Sequence, residues 1–565
     1  MRSHPADLAV RAVAVVAAAL LVGACSGASD DAGRATTTTA PATTAAPDGQ
    51  GDDPGRGPAA ADACERPVAD APPVEAVAGT PSDRTLTSFD GTELRVHWFP
   101  APGASADEPA PTVLNGPGWS LAGDTSREKS PLFGALGIGQ LNDAGYNVLT
   151  WDPRGFGAST GTVTVDDPAK EGRDVSRVLD WLATLPEVLT DRDGDPRVAM
   201  IGFSYGGGIQ LATASADCRL DALVPGLAWH SLETSLYRNE TVKIGWSQSL
   251  VTFAGDADLD PHIRRALESG QEHGTISRED QDWFRGRGPT DAVGRITAPT
   301  LFVQGTVDTL FGLDEAIANH RLLAERDVPT AMAWFCGGHG TCLTEAGRTD
   351  FVESATLAWL DRWLRDDGAA LPPAFQTVDQ DGRLWTAPSL PEADAALTGS
   401  GSGSLRLVAT GGSGPLAKGG GDALGSLVAD ITPARAEHAV EVALSASADG
   451  LVLGAPELTL RYRGTVTAHD LPTRLFAQLV DDESGHVIGN QVTPIPVTLD
   501  GAEHEVTVAL ETVVHRVRPG ATITLQVVAS TVAYATPQLG GEVDLRAVAI
   551  EVPVVTEGLT EERER

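Results

Sequence analysis

The chain has 565 residues, 42% of them apolar, which is enough for two or three globular domains. Its 41 Lys and Arg stand against 77 Asp and Glu, a formal charge of −36. That balance excludes nucleic acid as an expected partner, since phosphates must be met by Lys and Arg. It reads instead as a solubilising surface.

Residues 1–25 read as an export signal. Arg2 and Arg11 give a positive start, and an apolar run over 12–21 is too short to span a bilayer. The run ends in Val22-Gly23-Ala24-Cys25. This resembles the lipobox of bacterial lipoproteins. The resemblance implies lipidation at Cys25 and an extracytoplasmic protein held to the membrane by its lipid alone; a plain secretory signal is the rival reading. Residues 26–75, rich in Ala, Thr, Gly, Pro and Asp, are expected to be a disordered tether. Four cysteines remain, and an even number in an oxidising compartment predicts two disulfides. Cys336 and Cys342 would close a short loop, and Cys64 with Cys218 follows by elimination. The spacings fit none of the usual zinc patterns, so no metal is expected.

A catalytic domain is expected over 76–368. Leu94, Val96 and Trp98 alternate with polar residues as in a strand. Further strands are predicted at 112–114, 146–151, 198–201, 300–304 and 330–335, and helices at 132–144, 171–185, 313–325 and 350–365. Strands alternating with helices predict an α/β fold with a doubly wound, mostly parallel sheet. Residues 229–290 break the rhythm. They are polar and helix-prone, carry Trp229, Trp246 and Trp283, and read as a cap over the site. Those tryptophans either line a pocket or hold the cap's own core. Pro372-Pro373 marks a change of character, and 369–565 reads as an all-β sandwich or jelly roll, with strands such as 458–462, 475–480 and 522–528.

Gly202-Phe203-Ser204-Tyr205-Gly206 follows the strand at 198–201 and precedes a helix-compatible run. Gly-x-Ser-x-Gly in that setting is the nucleophile elbow of α/β-hydrolases. A serine hydroxyl needs a base, usually an imidazole, and the imidazole needs a carboxylate to fix its tautomer. In this fold the order along the chain is Ser, acid, His. Asp308 lies just past one strand and His339, in Gly337-Gly338-His339-Gly340, just past the next. Both loops are at carboxyl ends of strands, where open α/β sheets place their sites. Asp314 is the alternative acid but reads as a helix-cap residue. A Cys336–Cys342 bridge would surround His339 and stiffen its loop. The oxyanion needs two donors. One is expected from the Tyr205 backbone N–H. The other is expected from 115–119, where Pro117 cannot donate, so Gly118 or Trp119 must; Trp119 is preferred, through backbone or indole. The loop 152–159 reads as structural, with Asp152 and Arg154 holding neighbouring loops. Asp191, Asp193 and Asp195 read as an acidic turn, not a calcium loop.

Several motifs together resemble the Xaa-Pro dipeptidyl-peptidase and cocaine-esterase-like serine hydrolases, from about residue 85 to 554. They are Ser88-Phe89-Asp90-Gly91-Thr92, Asp152-Pro153-Arg154-Gly155, Gly157-Ala158-Ser159-Thr160-Gly161, Glu171-Gly172-Arg173-Asp174, the elbow and Gly-Gly-His-Gly. The resemblance implies an α/β-hydrolase with a jelly roll, catalytic Ser204, Asp308 and His339, no cofactor, and a small-molecule or peptide substrate cleaved at an ester or amide bond. Relatives carry a tyrosine in the oxyanion loop where this chain has Trp119. An aminopeptidase-type relative must also bind an ammonium, for which Glu233 and Glu240 are candidates. The rival to an enzyme is a non-catalytic cell-envelope binding lipoprotein on the same scaffold.

Overall fold

The computed structural model describes residues 73–80, 82–128, 134–348, 350–365, 368–414, 434–468 and 470–562. The expected signal with Cys25, residues 26–72 of the tether, and Cys64 lie outside them. The end of the stretch expected to be tether is a strand instead. Val74–Ala76 pairs antiparallel with Asp83–Thr87, and Val74 packs against the core, which draws this stretch into the sheet.

Among the described residues the main sheet has twelve strands. From Asn147–Trp151 the order runs through Thr112–Gly116, Val198–Phe203, Leu220–Gly226, Thr300–Gly305 and Thr330–Phe335 to Phe375–Val378, all parallel. Antiparallel strands flank this parallel centre on both sides. Alternate residues of one strand face opposite layers. Val198 and Met200 join a core with Val178, Ile209 and Ile317, from the helices Glu171–Leu182, Tyr205–Ala214 and Leu313–Ala324. Ala199 and Ile201 join a second core with Leu141 and Trp359, from Ile138–Asp143 and Asp350–Leu360. The sheet is thus doubly wound. The chain reverses its direction of travel between Thr112–Gly116 and Val198–Phe203, the switch point where such sheets hold ligands.

The predicted helix at 132–144 is shorter, Ile138–Asp143; the Gln140 side chain caps its start by accepting from the Gly137 N–H at 2.9 Å. The helix expected to end at residue 365 is α-helical only to Leu360, with a π turn over Asp361–Arg365. The acidic turn is a small hairpin, Thr190–Arg192 against Asp195–Pro196, braced by Arg192–Asp195 and Arg197–Asp191 ion pairs. No described helix is long and apolar enough to cross a membrane.

Between Leu220–Gly226 and Thr300–Gly305 the cap contributes four α-helices, Leu232–Leu236, Ile244–Phe253, Pro261–His273 and Arg278–Arg285. Ser231, Asp260 and Ser277 cap three of them by accepting from backbone N–H groups. The C-terminal region is two packed antiparallel sheets. One contains Ala395–Arg406, Glu457–Val466 and Gly541–Val555; the other contains Ala439–Ser445, Arg474–Asp481 and Thr522–Val528. Its limits differ from the expected 369–565. Phe375–Val378 and Leu384–Ala387 extend the main sheet, and Thr560–Glu562 returns to it. Pro372-Pro373 only interrupts the chain, because Phe375 is fully buried against Trp334, ring centroids 4.8 Å apart.

Candidate active site

Ser204 sits at the turn between its strand and the helix Tyr205–Ala214, with φ 59° and ψ −117°. A non-glycine residue held there stores about 1–3 kcal/mol of strain. The surroundings enforce it. Gly202 has φ 146°, and a Cβ on it would stand 2.6 Å from Gly116 O; a Cβ on Gly206 would stand 2.1 Å from the same oxygen. Only glycine at both positions lets the elbow press against the oxyanion loop. The Ser204 N–H donates to Gly226 O at 2.8 Å.

The three predicted side chains meet. Ser204 Oγ lies 2.8 Å from His339 Nε2, and His339 Nδ1 lies 2.7 Å from Asp308 Oδ2. In this arrangement the serine hydroxyl donates to Nε2 while Nδ1–H donates to the carboxylate. The other carboxylate oxygen of Asp308 accepts from Leu310 N at 2.9 Å and Phe311 N at 2.8 Å, which fixes its orientation. The imidazole is boxed by edge-on rings, Trp246 at 5.7 Å and Phe311 at 5.3 Å between centroids. The Trp246 indole donates to Thr309 Oγ1, joining the cap to the acid loop.

Three carbonyl oxygens of that loop are held by side chains from three directions. Asp308 O accepts from Gln491 Nε2 at 2.7 Å, Leu310 O from Lys243 Nζ at 3.0 Å, and Phe311 O from Gln304 Nε2 at 2.6 Å. Gln491 follows the turn Ile488–Asn490 of the sandwich, and Lys243 precedes the cap helix Ile244–Phe253. Burial lowers the pKa of the enclosed Lys243 ammonium, against the opposing field of Glu511. Asp314 is not the acid and not a cap: it is the second residue of Leu313–Ala324, and its carboxylate accepts from Thr512 N and Oγ1. Burial and the Glu511 charge push its carboxyl up to about 7. Sequence reasoning missed Gln491 and Lys243, because no local pattern marks a side chain that reaches a loop far away in the chain.

Tyr205 opens its helix, directly after Ser204, so its backbone N–H has no acceptor one turn back within the helix. Trp119 packs edge-on against Phe156 and Tyr205, ring centroids 5.0 and 5.3 Å apart. Its indole N–H donates to Leu250 O at 2.8 Å, tying the oxyanion loop to the cap. The indole is therefore engaged elsewhere, and the backbone N–H is the Trp119 group left for an oxyanion. Cys336 and Cys342 are disulfide-bonded around His339. Cys218 is also disulfide-bonded, and its expected partner Cys64 lies outside the described residues.

The loop at 152–159 braces the site from behind. Asp152 accepts from Gly123 N, Ala158 N and His97 Nε2. Arg154 is buried between Asp174 and Asp90, with contacts of 2.6 and 2.7 Å. Beneath Tyr205 two enclosed carboxyls lie together. Burial, assisted by the Glu171 charge, raises Asp166 well above the carboxylate range, and burial pushes Glu171 up to about 7 against its bonds from Thr164.

In front of Ser204 lies a cavity of about 80 Å³ roofed by the cap. Trp229 lines it. Trp246 instead packs on the histidine, and Trp283 stacks on His262 with centroids 5.2 Å apart. The tryptophans therefore divide between pocket, triad support and cap core. Of the two ammonium candidates, Glu233 is in the cavity wall while Glu240 is exposed beside Arg474.

Residues 90–341, which hold all three of these side chains, match the family model described as X-Pro dipeptidyl-peptidase (S15 family). A polyketide transferase from a Penicillium species is 27% identical over 144 residues, 25% of this chain and 43% of that protein. One from Gibberella fujikuroi is 29% identical over 136 residues, 24% of this chain and 37% of that protein. The chain thus spans less than half the length of these curated relatives. Among solved structures, an aminopeptidase from a marine sediment Thaumarchaeota archaeon superposes with TM-score 0.63 at 15% identity, over 86% of this chain and 99% of that one. A CocE/NonD family hydrolase from Staphylococcus aureus gives 0.58 at 14%, over 84% and 93%. An α-amino acid ester hydrolase gives 0.59 at 16%, over 86% and 97%. At these identities the structural likeness speaks for the fold, an α/β-hydrolase with a C-terminal all-β region. The sequence match over residues 90–341, together with this fold, supports a hydrolase similar to the X-Pro dipeptidyl-peptidase (S15) and cocaine-esterase-like enzymes.

Proposed function

We propose that the protein is a serine hydrolase that cleaves ester or amide bonds, peptide bonds included, through an acyl-enzyme on Ser204. The observation that carries this reading is the unbroken chain Ser204 Oγ, His339 Nε2, His339 Nδ1, Asp308 Oδ2, with contacts of 2.8 and 2.7 Å. His339 takes the hydroxyl proton as Ser204 attacks the carbonyl carbon. The backbone N–H groups of Tyr205 and Trp119 receive the negative charge that develops on the carbonyl oxygen. His339 then gives its proton to the leaving alcohol or amine. A water follows, deprotonated by the same imidazole, and releases the acid. Asp308 keeps the ring in one tautomer and stabilises its charged form.

We propose further that Cys25 anchors the enzyme outside the cytoplasm, with residues 26–72 as its leash. The lipobox-like Val22-Gly23-Ala24-Cys25 supports this. A panel of p-nitrophenyl esters and Xaa-Pro chromogenic amides tests the catalytic reading, with Ser204→Ala as control. At least one class should be turned over, with an initial burst, and the variant should lose about 1,000-fold or more. Equal turnover by the variant would contradict it.

A further inference from the structure

The wall of the cavity at Ser204 is apolar almost throughout. Trp229, Leu236, Val251, Ile263, Ile276 and Phe284 supply much of it. Among the described lining residues one side chain carries a charge, Glu233. Both of its carboxylate oxygens are taken: Oε1 lies 2.7 Å from Arg285 Nη2 and Oε2 accepts from Arg285 Nε at 2.8 Å. This is the two-pronged geometry that guanidinium and carboxylate prefer. Each Glu233 oxygen thus already holds a guanidinium N–H before any ligand enters, although Arg285 is shared with Asp282.

The same wall shows which side of the scissile bond the cavity serves. Ser204 and the expected oxyanion donors Tyr205 and Trp119 line it directly, whereas on the imidazole side the wall is formed by Leu310 and Phe311 of the acid loop. His339 Nε2 must hand its proton to the departing group, so that group sits on the imidazole side. The cavity opens on the side of the nucleophile and the oxyanion donors, where the acyl substituent lies.

We propose that this cavity is an acyl pocket for uncharged, apolar acyl groups larger than acetyl, and that the Glu233–Arg285 pair denies it an α-ammonium. The proposal rests on the acyl-enzyme reading above. Its free volume, about 80 Å³, has room for several water molecules and exceeds what an acetyl group fills. A free α-amino group entering as an ammonium would lose its water and meet hydrocarbon. The carboxylate that could receive it already shares both oxygens with a guanidinium, and burying an ammonium in an apolar wall without full pairing is strongly unfavourable. Substrates with a free N-terminus next to the scissile unit are accordingly disfavoured, in contrast to the aminopeptidase of similar fold.

Matched ethyl esters, valerate against norvaline, share a carbon skeleton and differ by the α-amino group; they are compared at a pH where that amine is protonated. The valerate ester should be preferred by about 100-fold or more in kcat/KM, the scale on which a site rejects a group whose polar needs it leaves unmet. Arg285→Gln frees Glu233 and should narrow that ratio at least about tenfold, and adding Glu233→Gln should widen it again. Across p-nitrophenyl acetate to hexanoate, kcat/KM should climb about fourfold per methylene until the pocket is full. Equal or better use of the norvaline ester by the unaltered protein, or a flat chain-length series, would overturn the proposal. A fluorophosphonate probe on the same samples separates the two levels. Failure to label Ser204 overturns the acyl-enzyme reading, whereas labelling with the wrong preference overturns the pocket alone.

Discussion

Gln491→Leu tests whether the sandwich takes part in catalysis. The substitution keeps most of the side-chain volume but removes the donor that lies 2.7 Å from Asp308 O. The turn before Gln491 packs tightly on the same loop; a Cβ on Gly489 would stand 3.1 Å from Thr306 O. Leaving a buried carbonyl without its donor costs about 1–3 kcal/mol. If that cost appears as a displaced Asp308, at about 1.4 kcal/mol per tenfold, kcat falls about 5- to 140-fold. KM should barely move, because Gln491 is not in the acyl cavity wall. Gln380→Leu is the control. It removes two bonds to the Arg516 backbone at the same domain boundary, each 2.7 Å, away from the acid loop. Steady-state kinetics on one ester, with thermal melts of both variants, provides the readout. The expected result is a kcat loss for Gln491→Leu alone. Lowered melting temperatures in both variants with kcat intact in both would refute the reasoning and leave the sandwich a stabilising neighbour.

Reducing the Cys336–Cys342 bridge should lower activity at reductant levels that leave the melting temperature nearly unchanged, because it frees the glycine-rich loop of His339 before it loosens the core; parallel loss of both at every level would count against this. The part of the folding stability that Glu171 supplies should fall as pH rises from about 4.5 to about 7 and level off above. Folded Glu171 holds its proton up to about 7 while the unfolded chain releases it near 4.5, so the unfolded state binds fewer protons in that window. At about 1.4 kcal/mol per pKa unit, Glu171 contributes up to about 3 kcal/mol of this decline. Asp166 acts in the same direction. Asp166→Asn suits the left-handed backbone there, φ 53°, and should remove part of the decline in chemical denaturation measured across pH. An unchanged pH dependence would show that Asp166 is ionised when folded.

Much of the fold and the positions of the triad residues were legible because the signals are local. The apolar runs at 198–201, 300–304 and 330–335 are strands whose faces both meet helices, so they read as short hydrophobic blocks. Each of Ser204, Asp308 and His339 follows such a block directly. What was not legible depends on tertiary contacts. Phe375 looks like any apolar residue after two prolines, and only Trp334 beside it shows that the main sheet continues. Val74 joins the sheet by packing, although its neighbours have tether composition. Glu233 could be named as a candidate for binding an ammonium, but Arg285, 52 positions later, already pairs with both of its oxygens. The Trp119 indole could be named as a donor, but Leu250 O in the cap accepts its proton.

The most direct test of the account is covalent labelling with a fluorophosphonate, read by peptide mass mapping of the intact protein and of Ser204→Ala. One adduct on the peptide containing Ser204, absent from the variant and strongly slowed by Asp308→Asn, is the predicted result. A wild-type protein that takes up no label, or carries it on another serine, would contradict a nucleophile activated by His339.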